Sequence, residues 1–157
     1  MKKLLFVALI VGFIAGCSGN AINEDYSEYR GKTSAQLFTS AEKHIASKKM
    51  TKATEELEAL DAIYPFGPYA EQAQLDIIYA YYKSEDDASA LAAADRYIRL
   101  YPHGKHVDYA YYMSGLIQYE DSMSWIQNLV GINPSESNSK GKQAAFLAFK
   151  SLVTLYP

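Results

Sequence analysis

Apolar residues recur at helical spacing from Ser34 onward, and a Tyr-Pro pair closes the pattern three times, at Tyr64, Tyr101 and Tyr156. Proline cannot continue a helix, so each pair predicts a helix end. The positions 11, 7, 4 and 1 residues before each tyrosine are apolar, and their spacing favours one helix face. The aligned residues are Ala53, Leu57, Leu60 and Ile63, then Ala90, Ala94, Tyr97 and Leu100, then Ala145, Phe149, Leu152 and Leu155.

Each unit also contains an earlier apolar stretch, at residues 37–45, 75–82 and 109–117. Ala41 and Gly115 supply the small residue that a close helix crossing needs in two of these stretches. Two helices per unit with a terminal proline are typical of the tetratricopeptide repeat, whose units are about 34 residues long. We therefore predict an all-α fold, a tetratricopeptide-repeat superhelix of about three helix pairs over residues 34–157. The alternative is an unrelated helical bundle.

The third unit is longer than the others. The first two Tyr-Pro pairs are 37 residues apart, and the third follows after 55. The 18 extra residues fall roughly between Asp121 and Lys142, where we expect a loop between the two helices of the unit. A solenoid normally ends in a polar capping helix, and none follows Tyr156. The repeat domain is therefore expected to be incomplete at its C-terminus.

The first residues have the pattern of a bacterial lipoprotein. Lys2 and Lys3 precede an apolar run too short to span a bilayer, and Ile14-Ala15-Gly16-Cys17 fits a lipobox. Residues 1–16 are predicted to be the signal peptide, and residues 17–33 a flexible tether lipidated at Cys17. By resemblance to Gram-negative lipoproteins, Ser18 implies the periplasmic face of the outer membrane. The alternative is an ordinary secretory signal with an incidental cysteine.

Charge and composition exclude several functions. Without Lys2 and Lys3, 13 basic and 18 acidic residues remain, a net charge of −5 that argues against binding nucleic acid. His103 and His106 lack further metal ligands, and Glu55 and Glu56 are expected to be solvated. No nucleophile–base arrangement is present, so we predict a protein that is not an enzyme and has no cofactor beyond its covalent lipid.

Aromatic residues offer the best candidate site. In this repeat architecture the first helix of each pair lines the concave face, here called the inner face. Of the twelve side chains expected on the inner face, six are aromatic and one, Glu42, is charged. This composition indicates a groove for an extended or helical peptide. The alternative is that these rings fill the core. The predicted binding residues are Phe38, Gln72, Tyr79, Tyr82, Tyr109, Tyr112 and Tyr119.

Several stretches resemble the BamD family, also called ComL-type lipoproteins. They are Tyr-Pro-Phe-Gly-Pro-Tyr at 64–69 and the segments at 75–83, 95–100 and 108–113. The resemblance implies a lipoprotein of the machinery that assembles outer-membrane β-barrels. The implied partners are a BamA-type barrel subunit, other assembly lipoproteins and unfolded outer-membrane proteins. In the family the barrel subunit is held by back repeats that this chain lacks. The alternative is a generic periplasmic scaffold lipoprotein, such as a pilus or envelope-division adaptor.

Overall fold

The computed structural model describes residues 26–128 and 139–156, which form a short 3-10 helix followed by six α-helices. Each helix packs against the next one, and α3 also contacts α5. Three antiparallel pairs in series confirm the predicted all-α repeat fold. The elements are the 3-10 helix Tyr26–Tyr29, α1 (Ser34–Ala46), α2 (Met50–Ile63), α3 (Ala70–Lys83), α4 (Asp87–Leu100), α5 (Val107–Asn128) and α6 (Ser139–Leu155).

The helix ends confirm the Tyr-Pro register. Helices α2, α4 and α6 each end one residue before the tyrosine of the pair. The backbone N–H of Tyr64 donates to the carbonyl of Leu60 at 2.8 Å, and that of Tyr101 donates equivalently to Tyr97 at 2.8 Å. The proline that follows has no N–H to donate and ends the helix there.

The turns inside the first two units repeat as well. Lys48 and Glu85 both adopt positive φ, 57° and 62°, and they are separated by the same 37 positions as Tyr64 and Tyr101. Left-handed residues commonly end helices, although glycine is the usual choice. The start of α1 carries a capping box, in which Thr33 and Gln36 each accept a hydrogen bond from the other's backbone N–H.

Small residues lie where the helices cross. Ala53 and Ala90 are completely buried, as predicted, and so is Ala41. The predicted buried face is wrong at its last position, the residue directly before the tyrosine. Leu100 and Leu155 at this position are 54% and 57% exposed. Ten residues of helix place that position about 80° around the axis from the first, at the margin of the buried stripe.

The expected loop in the third unit is wrong at both of its ends. Helix α5 continues to Asn128 and α6 begins at Ser139, so helix covers much of the span from Asp121 to Lys142. No glycine or proline interrupts residues 121–128, which is why α5 can extend. Within this pair Gly115 allows a close approach, since a Cβ there would lie 2.7 Å from the ring of Phe149.

The expectation that Glu56 is solvated is also wrong. Its side chain is 8% exposed and accepts hydrogen bonds from Ser40 Oγ at 2.8 Å and His44 Nδ1 at 2.9 Å. Lys32 Nζ lies 3.9 Å away. Partners from α1 and from the segment before it make this burial tolerable, because a buried carboxylate must be paired.

Part of the predicted tether is packed against the repeats. Tyr29 is 9% exposed, and the Tyr64 hydroxyl donates to the carbonyl of Lys32 at 2.7 Å. The signal peptide, Cys17 and the rest of the tether lie outside the described residues. Across residues 26–128 and 139–156, no helix has the length and apolarity needed to cross a membrane.

Candidate peptide-binding groove

Three of the seven predicted binding residues lie in one pocket between α3 and α5. This pocket has a volume of about 350 Å³ and is open to solvent. Because α3 and α5 are the first helices of their pairs, the pocket lies on the predicted inner face. We call it the Asp76 pocket, and its lining consists of Gln72, Leu75, Asp76, Tyr79, His106 and Tyr109.

Asp76 is a pocket residue that was not predicted from the sequence. Its Oδ1 accepts a hydrogen bond from Gln72 Nε2 at 2.9 Å, whereas its Oδ2 is buried and has no hydrogen-bond partner among the described residues. Burial, reinforced by the nearby Glu42 carboxylate, raises the pKa of Asp76 from 3.8 to about 6. Its place in the pocket could have been predicted, because position 76 shares a helix face with the predicted binding residues Gln72 and Tyr79.

Tyr109 faces Asp76 from the opposite helix. Burial, together with the Asp76 charge, raises the pKa of the Tyr109 phenol to about 12. The phenol therefore stays neutral at physiological pH. The pocket thus combines two half-buried tyrosines, Tyr79 and Tyr109, with an amide and a carboxyl group.

Tyr82 lies one turn beyond Tyr79 and borders a second cavity of about 470 Å³. Its hydroxyl donates to Glu120 Oε1 at 3.2 Å, and Lys83 Nζ lies 5.0 Å from its ring centre. Burial, then this contact with Glu120, raises the pKa of Tyr82. The residue therefore belongs to the same inner face but has more polar surroundings than the Asp76 pocket.

The other predicted residues are distributed around the pocket. Tyr112 and Tyr119 on α5 are 45% and 49% exposed, and the Tyr112 ring centre is 6.4 Å from that of Phe149. Phe38 on α1 stacks on Tyr69, with ring centres 4.8 Å apart, and does not line the pocket. Phe38 therefore contacts the second repeat through Tyr69 and not the Asp76 pocket.

The polar groups of this surface are suited to binding. His106 lines the pocket, but no group of three potential metal ligands occurs within residues 26–128 and 139–156. Aromatic faces and a few fixed polar groups in a concave surface are typical of ligand sites.

Comparison with known proteins agrees with the repeat architecture. The family described as Tetratricopeptide repeat matches residues 25–157. The chain belongs to the tetratricopeptide repeat family.

Within that class, the curated relatives confirm the resemblance inferred from the Tyr-Pro-Phe-Gly-Pro-Tyr stretch. The chain is 41% identical over 123 residues to the outer membrane protein assembly factor BamD of Vibrio cholerae, covering 78% of this chain and 51% of that protein. It is 32% identical over 158 residues to the BamD of Neisseria meningitidis serogroup B, covering 100% of this chain and 59% of the relative. The BamD of Pasteurella multocida gives 32% over 157 residues, with 100% and 58% covered. The chain thus spans between half and three fifths of these relatives.

Proposed function

We propose that this protein is a non-enzymatic component of the machinery that assembles β-barrel proteins in the outer membrane. The observation that carries the proposal is the similarity along the whole chain to proteins named outer membrane protein assembly factor. Its partners are a BamA-type barrel subunit and other assembly lipoproteins.

The inner face receives a segment of an unfolded outer-membrane protein. Tyr79, Tyr82, Tyr109 and Tyr112 offer rings to a strand in which apolar and aromatic side chains alternate. Each aromatic pair would contribute about 0.5–1.5 kcal/mol beyond the burial of its area. Association costs several kcal/mol in lost freedom, so the resulting affinity is modest. A modest affinity suits a protein that passes its substrate onward.

A lipid on Cys17 holds the protein at the periplasmic face of the outer membrane. Several acyl chains anchor a protein firmly, whereas one chain anchors it marginally. The Cys17→Ser variant should therefore leave the membrane fraction in detergent-free buffer. If it stays with the outer membrane, the lipid is not the anchor.

Peptide crosslinking tests the binding role. The double variant Tyr79→Ala, Tyr112→Ala removes one ring from the Asp76 pocket and one half-exposed ring from α5. Crosslinking to a synthetic peptide patterned on the final strand of a porin should fall, while helicity and the melting temperature stay near those of the unmodified chain.

The matched control is Phe66→Ala. Phe66 is 99% exposed on the turn between α2 and α3 and lines none of the inner-face cavities. This variant should crosslink normally. Persistent crosslinking in a folded double variant would contradict the proposed groove, and a collapse of its melting temperature would show that the tyrosines are structural.

A further inference from the structure

The Asp76 pocket holds a carboxyl group whose charge is not balanced. Among the described residues the ion pairs involve Glu56 and Asp61, and none includes Asp76. Gln72, an exposed neutral amide on α3, donates to Asp76 Oδ1, and the Glu42 side chain also lies within hydrogen-bonding reach of Asp76. An ionised carboxyl in partly buried surroundings is stabilised most by a cation or by further donors.

No lysine or arginine is among the residues that line the Asp76 pocket. Glu42 approaches from α1, and Gln72 and Tyr79 belong to the same helix as Asp76. Tyr109 on α5 and His106, the residue before α5, line the same pocket. Glu42 makes the local potential more negative, so the terminal carboxylate of a bound peptide would be repelled here.

The aromatic walls suit a cation as well. Within the protein, Lys83 Nζ already lies 5.7 Å from the ring centre of Tyr79 and 5.0 Å from that of Tyr82. A ring attracts a cation over its face through its quadrupole, and the planar guanidinium of arginine can stack on it. Tyr79 and Tyr109 border a cavity of about 350 Å³, which has room for one long side chain.

We infer that the Asp76 pocket is a specificity site for a basic side chain, preferably arginine, carried within the segment that the inner face binds. The guanidinium lies between the tyrosine rings and pairs with the Asp76 carboxylate. The bound segment therefore inserts the side chain of an internal residue into the pocket, and its terminal carboxylate stays outside. This inference rests on the proposed function, and it adds a charge requirement to the aromatic one.

Paired peptides test it by fluorescence anisotropy. The probe is a short, C-terminally amidated, fluorescent peptide of alternating aromatic and polar residues with one central arginine. Its partner carries citrulline there, which keeps the shape and removes the charge. The unmodified chain should bind the arginine peptide about tenfold more tightly, as expected for a charge-assisted contact that is partly desolvated.

In the Asp76→Asn variant the preference for arginine should disappear, while the citrulline peptide binds as before. The control Asp95→Asn removes an equal charge from an exposed position on α4 and should keep the preference. A preference that survives in Asp76→Asn, or is lost in Asp95→Asn, overturns the inference.

Two further outcomes separate this inference from the proposed function. If both peptides bind the unmodified chain with equal affinity, the charge requirement fails and the peptide groove stands. If neither binds, the proposed function fails and the inference fails with it.

Discussion

Replacing Asp76 by asparagine should stabilise the protein at neutral pH. The folded-state pKa of about 6 lies above the ordinary value of 3.8, so the folded protein holds this proton more readily than the unfolded chain does. Above about pH 6 the native state therefore carries an ionised carboxyl in an unfavourable place. Asparagine removes the charge, keeps Oδ1 as the acceptor for Gln72, and gives Glu42 an amide donor.

The magnitude follows from the shift in pKa. About two units correspond to at most about 3 kcal/mol, at about 1.4 kcal/mol per unit. The pocket is open and Asp76 is only half-buried, so solvent screening reduces the expected gain to about 1–2 kcal/mol. The gain should be complete above about pH 7 and shrink as the pH falls through 6. It should vanish below about pH 4, where the carboxyl is protonated in both states.

Urea unfolding followed by circular dichroism at several pH values measures this difference. Other groups titrate in both proteins, so the difference between the unfolding free energies isolates Asp76. Asp95→Asn is the matched control and should show little change at any pH. A variant that is not more stable at neutral pH, or a gain that does not shrink on acidification, would refute the argument from burial.

Two predictions concern packing. Ala90→Phe should overpack the crossing of α4 and lower the unfolding free energy by about 1–3 kcal/mol, whereas Ala92→Phe at an exposed position should not; equal melting temperatures would contradict the repeat alignment. Helix α6 exposes Phe146 and Val153 by 64% and 67%, so this chain should self-associate in sedimentation velocity, and serine at both positions should yield monomers. An unmodified chain that sediments as a monomer would show that the α6 face does not drive association.

Local sequence signals determined the helix ends and the helix crossings. Proline within a helix removes a backbone hydrogen bond and clashes with the preceding turn, so Tyr64 and Tyr101 marked the ends of α2 and α4. Ala53 and Ala90 were predicted at crossings because their side chains are small and recur in the same register, and both are completely buried. The length of α5 was missed because an insertion was assumed to be a loop, although no glycine or proline occurs between Asp121 and Gly131.

Only the tertiary structure decided the chemistry of the inner face. The burial of Asp76 depends on α1 and α5, which are distant in sequence and bring Glu42 and Tyr109 towards it. Glu56 looked like a surface carboxylate until α1 supplied its partners. Helical periodicity tells which side chains share a face, whereas desolvation and pairing depend on what the opposite helix presents. The sequence therefore predicted a groove rich in tyrosine, and the packing of the first helices placed the Asp76 carboxyl group in a pocket between α3 and α5.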